Sequence, residues 1–489
     1  MLTRLRDLPI LVILSGITGV AMLVPAMHAA AVDDEDTARA FFYAAIVVLL
    51  MTGLVAIATS NFRTMAVARN HLAALVGAYA LLPLICALPM AQAVPDTSFA
   101  NAWFEMVSCF TTTGATLYDV AGRLPASVHF WRALVGWMGG FFILLTALAV
   151  LAPLNLGGVE VLTDRAPGRA ARGAGQITRT ADAPARLWRH AVLLGPAYFA
   201  VTAVLWVGLQ LAGDAPLMAL VLAMGALSTS GILPMEGDVA LSGATQGLLL
   251  VGMALALTRR AMPGRAQAGP DVPLWRDPEL RLAAFLLVLV PAVLVLRQVG
   301  LGAAPTGAAI WGAVFTTLSF LTTTGYQSPA MAAGTPGLVL LGLCVIGGGV
   351  ATTAGGVKLL RVYALLRHGE RELERLVHPN SIGHGGAVAR RLRREGAYVA
   401  WIFFMIFAVT IACVMLALTA TGVAFEPAMV LAVAALSTTG PLADVATDTP
   451  ILYAILSDPA KAILAVTMVV GRLETLAILA LLAPDGWRR

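Results

Sequence analysis

Apolar residues along this chain fall into runs of two lengths. The longer runs lie near 9–28, 40–60, 71–91, 128–152, 190–212, 242–257, 280–299, 337–366, 397–420 and 457–483. A helix needs about 20 apolar residues to cross a bilayer, so these are read as ten spans, the eighth interrupted. Shorter runs near 99–110, 216–227, 308–321 and 427–436 hold about a dozen residues each, too few to cross. All four end on the same polar string: Phe110-Thr111-Thr112-Thr113-Gly114, Leu227-Ser228-Thr229-Ser230-Gly231, Leu321-Thr322-Thr323-Thr324-Gly325 and Leu436-Ser437-Thr438-Thr439-Gly440. One such string is an ordinary helix end, with hydroxyls capping backbone groups and glycine taking positive φ. Four copies, spaced by about 100 residues, make a repeat. The unit is outer helix, short pore helix, polar turn, inner helix, which is how a re-entrant pore loop reads in sequence.

The predicted fold is therefore an all-α polytopic membrane protein, four tandem helix–pore loop–helix units around a pseudo-fourfold pore, preceded by two extra transmembrane helices. Segment boundaries follow: 1–69 for the leading helices, 70–160 and 161–258 for units one and two, 259–366 for unit three, 367–395 for a cytoplasmic linker and 396–489 for unit four. The first run ends Ala26-Met27-His28-Ala29-Ala30-Ala31 and shares features with a signal peptide, but its length favours a retained span.

Composition agrees. The chain is 59% apolar and 12% charged, against a soluble norm of about 25% charged. The net charge of +5 is no nucleic-acid footprint, because no basic domain with interleaved aromatics carries it. Arginines instead cluster in alternate loops: Arg165 to Arg189, Arg259 to Arg281, Arg361 to Arg394 and Arg488-Arg489. The intervening loops carry Asp119, Asp214, Glu236, Asp238, Asp444 and Asp448. The positive-inside rule puts the arginines, and both termini, in the cytoplasm and all four glycine turns outside. Cys86, Cys109, Cys344 and Cys413 lie in apolar segments without metal spacing and read as small hydrophobes.

The chemistry of the turns suits a cation. A pore helix aims its partly negative C-terminus at the turn after it, and glycine lets backbone carbonyls face inward to replace an ion's hydration shell. The filter candidates are Thr112, Thr113 and Gly114, Thr229, Ser230 and Gly231, Thr323, Thr324 and Gly325, and Thr438, Thr439 and Gly440. Their hydroxyls either brace neighbouring backbone or add oxygens. Asp119, Glu236 and Asp444 follow their glycines closely, as a mouth ring that concentrates cations or as solvated loop acids.

Two features mark the inner helices. Gly347-Gly348-Gly349-Val350-Ala351-Thr352-Thr353-Ala354-Gly355-Gly356-Val357-Lys358 holds five glycines within ten residues, each costing a helix about 1 kcal/mol relative to alanine. Irregular backbone at membrane depth must be buried in protein or line a wet cavity. The stretch reads as a movable constriction, with Gly348, Gly349, Thr352, Thr353, Gly355, Gly356 and Lys358 as gate candidates. No Ser or Thr follows the lysine as a phosphate-binding loop requires. In the last helix, which starts Ser457-Asp458-Pro459, Arg472 lies about 16 Å below Lys461. Arginine there costs at least about 2.5–3.5 kcal/mol without water or a partner. It reads as pointing into the pore below the filter, or as one half of a buried pair with an acid.

These strings together resemble the Trk/Ktr/HKT potassium transporter superfamily, and within it the TrkH type, because two helices precede the first unit. Carrying the resemblance are the four pore loops, Ala354-Gly355-Gly356-Val357-Lys358, Gly471-Arg472-Leu473-Glu474, Phe130-Trp131-Arg132-Ala133-Leu134 ahead of Trp137-Met138-Gly139-Gly140, and Gly369-Glu370-Arg371-Glu372-Leu373 running to His378-Pro379. The resemblance implies potassium uptake across the bacterial inner membrane through a gated pore lined by filter carbonyls, with K+ as the transported ion and no organic cofactor. It implies a homodimer above a cytoplasmic TrkA-type RCK nucleotide-binding ring, with Arg472 as a barrier below the filter. Glycine in all four turns resembles potassium-preferring members. Sodium- or proton-coupled symport and less selective K+/Na+ conduction remain open. The fourth loop, ending Gly440-Pro441, is more like the other three than that repeat often is in the family. An intramembrane protease lacks support, since Tyr118-Asp119 has no Gly-x-Gly-Asp partner, and intact turns argue against a transport-dead scaffold.

Overall fold

The computed structural model describes residues 9–60, 68–154, 156–158, 183–233, 241–261, 273–300, 302, 306–332, 336–378, 394–447 and 449–482. Arg165 to Arg179, Arg265, Arg390, Arg391, Arg393, Arg488, Arg489, Glu236, Asp238 and Asp448 lie outside them. Among the described residues, all regular structure is helical.

Helices α1 (Ile10–Ala21) and α2 (Leu23–Ala31) run end to end, because Met22 between them keeps right-handed helical backbone. Together they make one rod of 22 residues. Helix α3 (Glu35–Thr59) starts where the Asp34 carboxylate accepts from the Thr37 amide at 3.1 Å. Glu35 and Asp36 in its first turn complement the helix dipole.

The four units follow. Unit one has α4 (Ala68–Ala93), pore helix α5 (Phe99–Phe110) and α6 (Ala126–Thr146), which continues through a π turn to residue 151. Unit two has α7 (Ala183–Leu211), pore helix α8 (Pro216–Ser228) and α9 (Gly243–Ala254). Unit three has α10 (Pro278–Gly300), pore helix α11 (Gly307–Leu321), a turn α12 (Pro329–Ala332), α13 (Gly337–Ile346) and α14 (Leu359–Val377). Unit four has α15 (Arg394–Ala420), pore helix α16 (Phe425–Leu436), a turn α17 (Leu442–Val445), α18 (Asp458–Leu473) and α19 (Thr475–Leu482).

Among the described residues, seven helices are long and apolar enough to cross a membrane. The inner helices of units two, three and four are not among them, being short or broken. The interruption expected in unit three is present between Ile346 and Leu359. An uninterrupted helix over 457–483 is not: Glu474 takes φ +65 and splits α18 from α19. Its carboxylate pairs with Arg361 at 2.7 Å, which satisfies a charge that would otherwise sit bare in the interior. Ser457 stands at the cap of α18 as expected, but its side chain makes no capping bond.

Packing between units is cyclic. Inner helix α6 packs on pore helix α8, α9 on α11, α13 on α16, and α18 returns to α5. Each unit thus covers the pore helix of the next, and the fourth closes on the first. The C-terminal turns of all four pore helices are buried, mostly apolar as helices wrapped by protein should be.

Candidate functional site

Each pore helix ends in the same way. The second residue of the polar string, Thr112, Thr229, Thr323 or Thr438, lies in left-handed backbone, with φ of 54, 54, 58 and 54. The following amide reaches back to close the turn: Thr113 to Ser108 O at 2.8 Å, Ser230 to Gly225 O at 3.1 Å, Thr324 to Ser319 O at 2.8 Å and Thr439 to Ala434 O at 2.8 Å. A β-branched residue with positive φ is a genuine outlier, costing on the order of 1–3 kcal/mol. Four equivalent copies mark a conformation that the surroundings impose.

The hydroxyls divide by position. The first of each string bonds its own helix: Thr111 to Val107 O at 2.8 Å, Ser228 to Met224 O at 2.7 Å, Thr322 to Leu318 O at 2.9 Å and Ser437 to Val433 O at 2.7 Å. The third bonds the first, at 2.8, 3.0, 3.1 and 3.3 Å in units one to four. These two positions are braces. The second position is not uniform. Thr112 and Thr438 Oγ1 have no partner among the described residues, Thr229 donates to Ser228 O at 2.7 Å, and Thr323 accepts from the Gly355 amide at 2.7 Å.

The four turns touch in a ring. A Cβ added at Gly114 would strike Ser230 O, one at Gly231 would strike Thr324 O, one at Gly325 would lie 2.9 Å from the Pro441 ring, and one at Gly440 would strike the Ala115 amide. The Gly440 amide also donates to Thr113 O at 2.6 Å. All twelve filter candidates therefore belong to one site. They are not equivalent, however. Gly114, Gly231 and Gly325 have φ of 75, 62 and 91, whereas Gly440 is absent from the left-handed region, and its carbonyl accepts from Tyr453 Oη at 3.0 Å and the Ala443 amide at 3.1 Å. The expectation of four converging glycine carbonyls fails at this residue. Pro441 sets this turn apart, because a residue preceding proline is biased toward extended backbone.

Below the ring lies the glycine-rich loop. Its start is tied down by Gly349 N–H on Ala256 O at 2.9 Å and Val350 N–H on Glu279 Oε1 at 2.8 Å. Its middle touches the filter through Gly355, as above, and through Thr353 Oγ1 on Leu227 O at 3.3 Å. Thr352 Oγ1 folds back on Gly349 O at 2.7 Å, and Lys358 Nζ donates to Ala354 O. Gly347 and Gly356 take φ of 70 and 75, and a Cβ on Gly348 would come 2.7 Å from Ala256 O. Arg472 Nη1 donates to Thr353 O at 2.5 Å, so the arginine lies on the loop rather than paired with an acid. Its Nε and Nη2 have no partner among the described residues. A cavity of about 20 Å³ lies here, lined by Thr352, Gly355, Lys358, Arg472 and Glu474, with room for about one water.

Two groups escaped sequence reasoning. Glu105 in α5 and Arg132 in α6 form a buried pair at 2.7 Å. Glu105 Oε2 accepts from Leu117 N–H at 3.0 Å and Arg132 Nη2 donates to Thr116 Oγ1 at 2.9 Å, so the pair holds the segment after the first turn. The signal was present: a lone acid and a lone base inside apolar helices must find one another. Glu279 gave none, since a charge at a helix start is ordinary. Beside the ring, Asp119 and Asp444 keep part of their surface open to solvent while protein packs against the Asp444 carboxyl. Desolvation, then the charge of Asp119, pushes the Asp444 carboxyl up to about 7, and desolvation raises Asp119.

Residues 278–486 match the family model TrkH, a cation transport protein. Over 403 residues the chain is 32% identical to the Trk system potassium uptake protein TrkH of Salmonella typhimurium, covering 81% of this chain and 80% of that one. It is 29% identical over 411 residues to TrkI of Halomonas elongata, covering 82% and 80%. It is 26% identical over 487 residues to TrkG of Escherichia coli, covering 95% of each. The crystal structure of the potassium transporter TrkH from Vibrio parahaemolyticus superposes with a TM-score of 0.79 at 26% identity over 100% of both chains. With the ring of four turns and the loop beneath it already in place, this chain belongs to the TrkH family of cation transport proteins.

Proposed function

We propose that this protein conducts potassium across the bacterial inner membrane, inward, through the axis of the four-turn ring. The observation that carries the reading is the cyclic contact of four left-handed threonine turns from one polypeptide. The relatives named as potassium uptake proteins support the choice of ion. In this reading Thr112 to Gly114, Thr229 to Gly231, Thr323 to Gly325, and Thr438 and Thr439 supply the oxygens that replace the ion's water. The loop from Gly348 to Lys358, held by Arg472, is the gate. Arg472 places a positive charge beside the path, a barrier to a cation whenever the loop is down.

Both termini lie in the cytoplasm, the chain works as a homodimer, and a TrkA-type nucleotide-binding ring acts on α14, which follows directly from the gate.

Rubidium uptake into proteoliposomes tests it. Wild-type protein takes up the tracer, and Gly325→Ser lowers uptake about tenfold or more, because a side chain at φ 91 costs on the order of 1–3 kcal/mol and meets Pro441. Unchanged flux in the variant contradicts the filter assignment.

A further inference from the structure

If the four-turn ring is the pore, as proposed above, Tyr453 stands directly behind its fourth turn. Tyr453 lies in a short turn ahead of α18 and is buried, with 3% of its surface exposed. Its hydroxyl donates to Gly440 O at 3.0 Å. A carbonyl oxygen has two acceptor sites, and the Ala443 amide at 3.1 Å takes the other. Both lone pairs of Gly440 are therefore engaged away from any ion.

The same turn places Pro441 between neighbouring units. A Cβ on Gly231 would lie 3.2 Å from Pro441 Cγ, and one on Gly325 would lie 2.9 Å from Pro441 Cβ. On the other side the Gly440 amide grips Thr113 O at 2.6 Å. Unit four thus meets units one, two and three at the outer ring through a wedge, and Tyr453 fixes the wedge from behind.

We propose that Tyr453 is a positioning residue that sets ion specificity. By holding the Gly440 carbonyl turned outward and Pro441 seated, it fixes the spacing of the three remaining glycine positions. A ring held at fixed spacing cannot contract around an ion smaller than potassium, and the number and field strength of its carbonyls set the preference.

The test uses the full chain in proteoliposomes and reads the rubidium-to-sodium permeability ratio from reversal potentials. Tyr453→Phe keeps the ring and removes the donor. The ratio falls about two- to tenfold, the range that one hydrogen bond of ordinary net strength supplies. Incorporation of 3-fluorotyrosine at 453, a stronger donor of nearly the same volume, moves the ratio the other way. A protein that needs Tyr453 only for packing would show neither change. An unchanged ratio in Tyr453→Phe overturns the proposal. If that variant does not fold, an unchanged ratio with 3-fluorotyrosine overturns it. Absence of rubidium flux in the wild type would instead sink the pore reading itself.

Discussion

At the scale of single residues, the site depends on charges and hydroxyls in places that cost energy. Glu105 and Arg132 are 0% and 3% exposed and hold the segment behind the first turn. Breaking a buried pair leaves an uncompensated charge and costs about 3–5 kcal/mol. Glu105→Gln should therefore lower the melting temperature in detergent and reduce rubidium uptake. Glu105→Gln combined with Arg132→Met should recover stability but not uptake, because the glutamine still accepts the Leu117 amide while Thr116 loses the guanidinium that held it. Beside the fourth turn, desolvation and then the charge of Asp119 push the Asp444 carboxyl up to about 7. Its raised value means that it is neutral below that pH and ionised above it, with Asp119 and the Tyr453 phenol as the groups facing it. Raising the external pH through about 7 adds a negative charge where cations enter, so uptake at low ionic strength should rise. Asp444→Asn should flatten that rise, which a pH series of initial rates would show.

At the scale of elements, the glycine-rich loop is held near its start and at its middle by different means. Glu279, from the start of α10, accepts the Val350 amide at 2.8 Å, and Arg472, from α18, holds Thr353 O. Removing Glu279 leaves a buried amide unsatisfied, a cost of about 1–3 kcal/mol to the loop in its present position. In single-channel records Glu279→Ala should raise the open fraction about tenfold, with unitary conductance unchanged. Glu279→Gln, which keeps an acceptor oxygen, should stay near wild type. An equal effect of both variants would show that charge, not the hydrogen bond, matters. The spans and pore helices were legible because each is a continuous apolar run with a clear stop, and the interrupted third inner helix because five glycines cannot hide in a helix. The break at Glu474 was not legible: Leu473 and the apolar run after Thr475 continue the helical pattern, and only Arg361, 113 residues away, explains the turn. The hydroxyl roles were equally hidden, because Thr112 and Thr113 read alike as text and differ only in φ. Gly440-Pro441 did carry a signal. A proline directly after the fourth glycine, where the other units have Ala115, Ile232 and Tyr326, biases Gly440 away from the positive φ of its three counterparts.

At the scale of the whole molecule, the ring closes only if inner helices come close enough to touch the ends of pore helices. Two glycines make that approach possible at matching places in the first and last units. A Cβ on Gly139 of α6 would strike Phe110 O, the end of α5, and a Cβ on Gly471 of α18 would strike Leu436 O, the end of α16. In each case the obstacle is backbone, which cannot rotate away as a side chain can. Gly139→Ala and Gly471→Ala should each displace a pore-helix terminus. The cost should be that of overpacking, about 1–3 kcal/mol, seen as a lowered melting temperature and as lost preference for rubidium over sodium. Gly342, on α13, has nothing within 4 Å of an added Cβ, so Gly342→Ala should leave the rubidium preference unchanged and raise rather than lower the melting temperature, since alanine favours a helix by about 1 kcal/mol over glycine. The two sensitive glycines lie in different units but do the same work, so their effects on the permeability ratio should match in sign. A loss at one with indifference at the other would mean that the pore does not share strain around its circumference, and the fourfold closure would be a resemblance of shape without mechanical consequence.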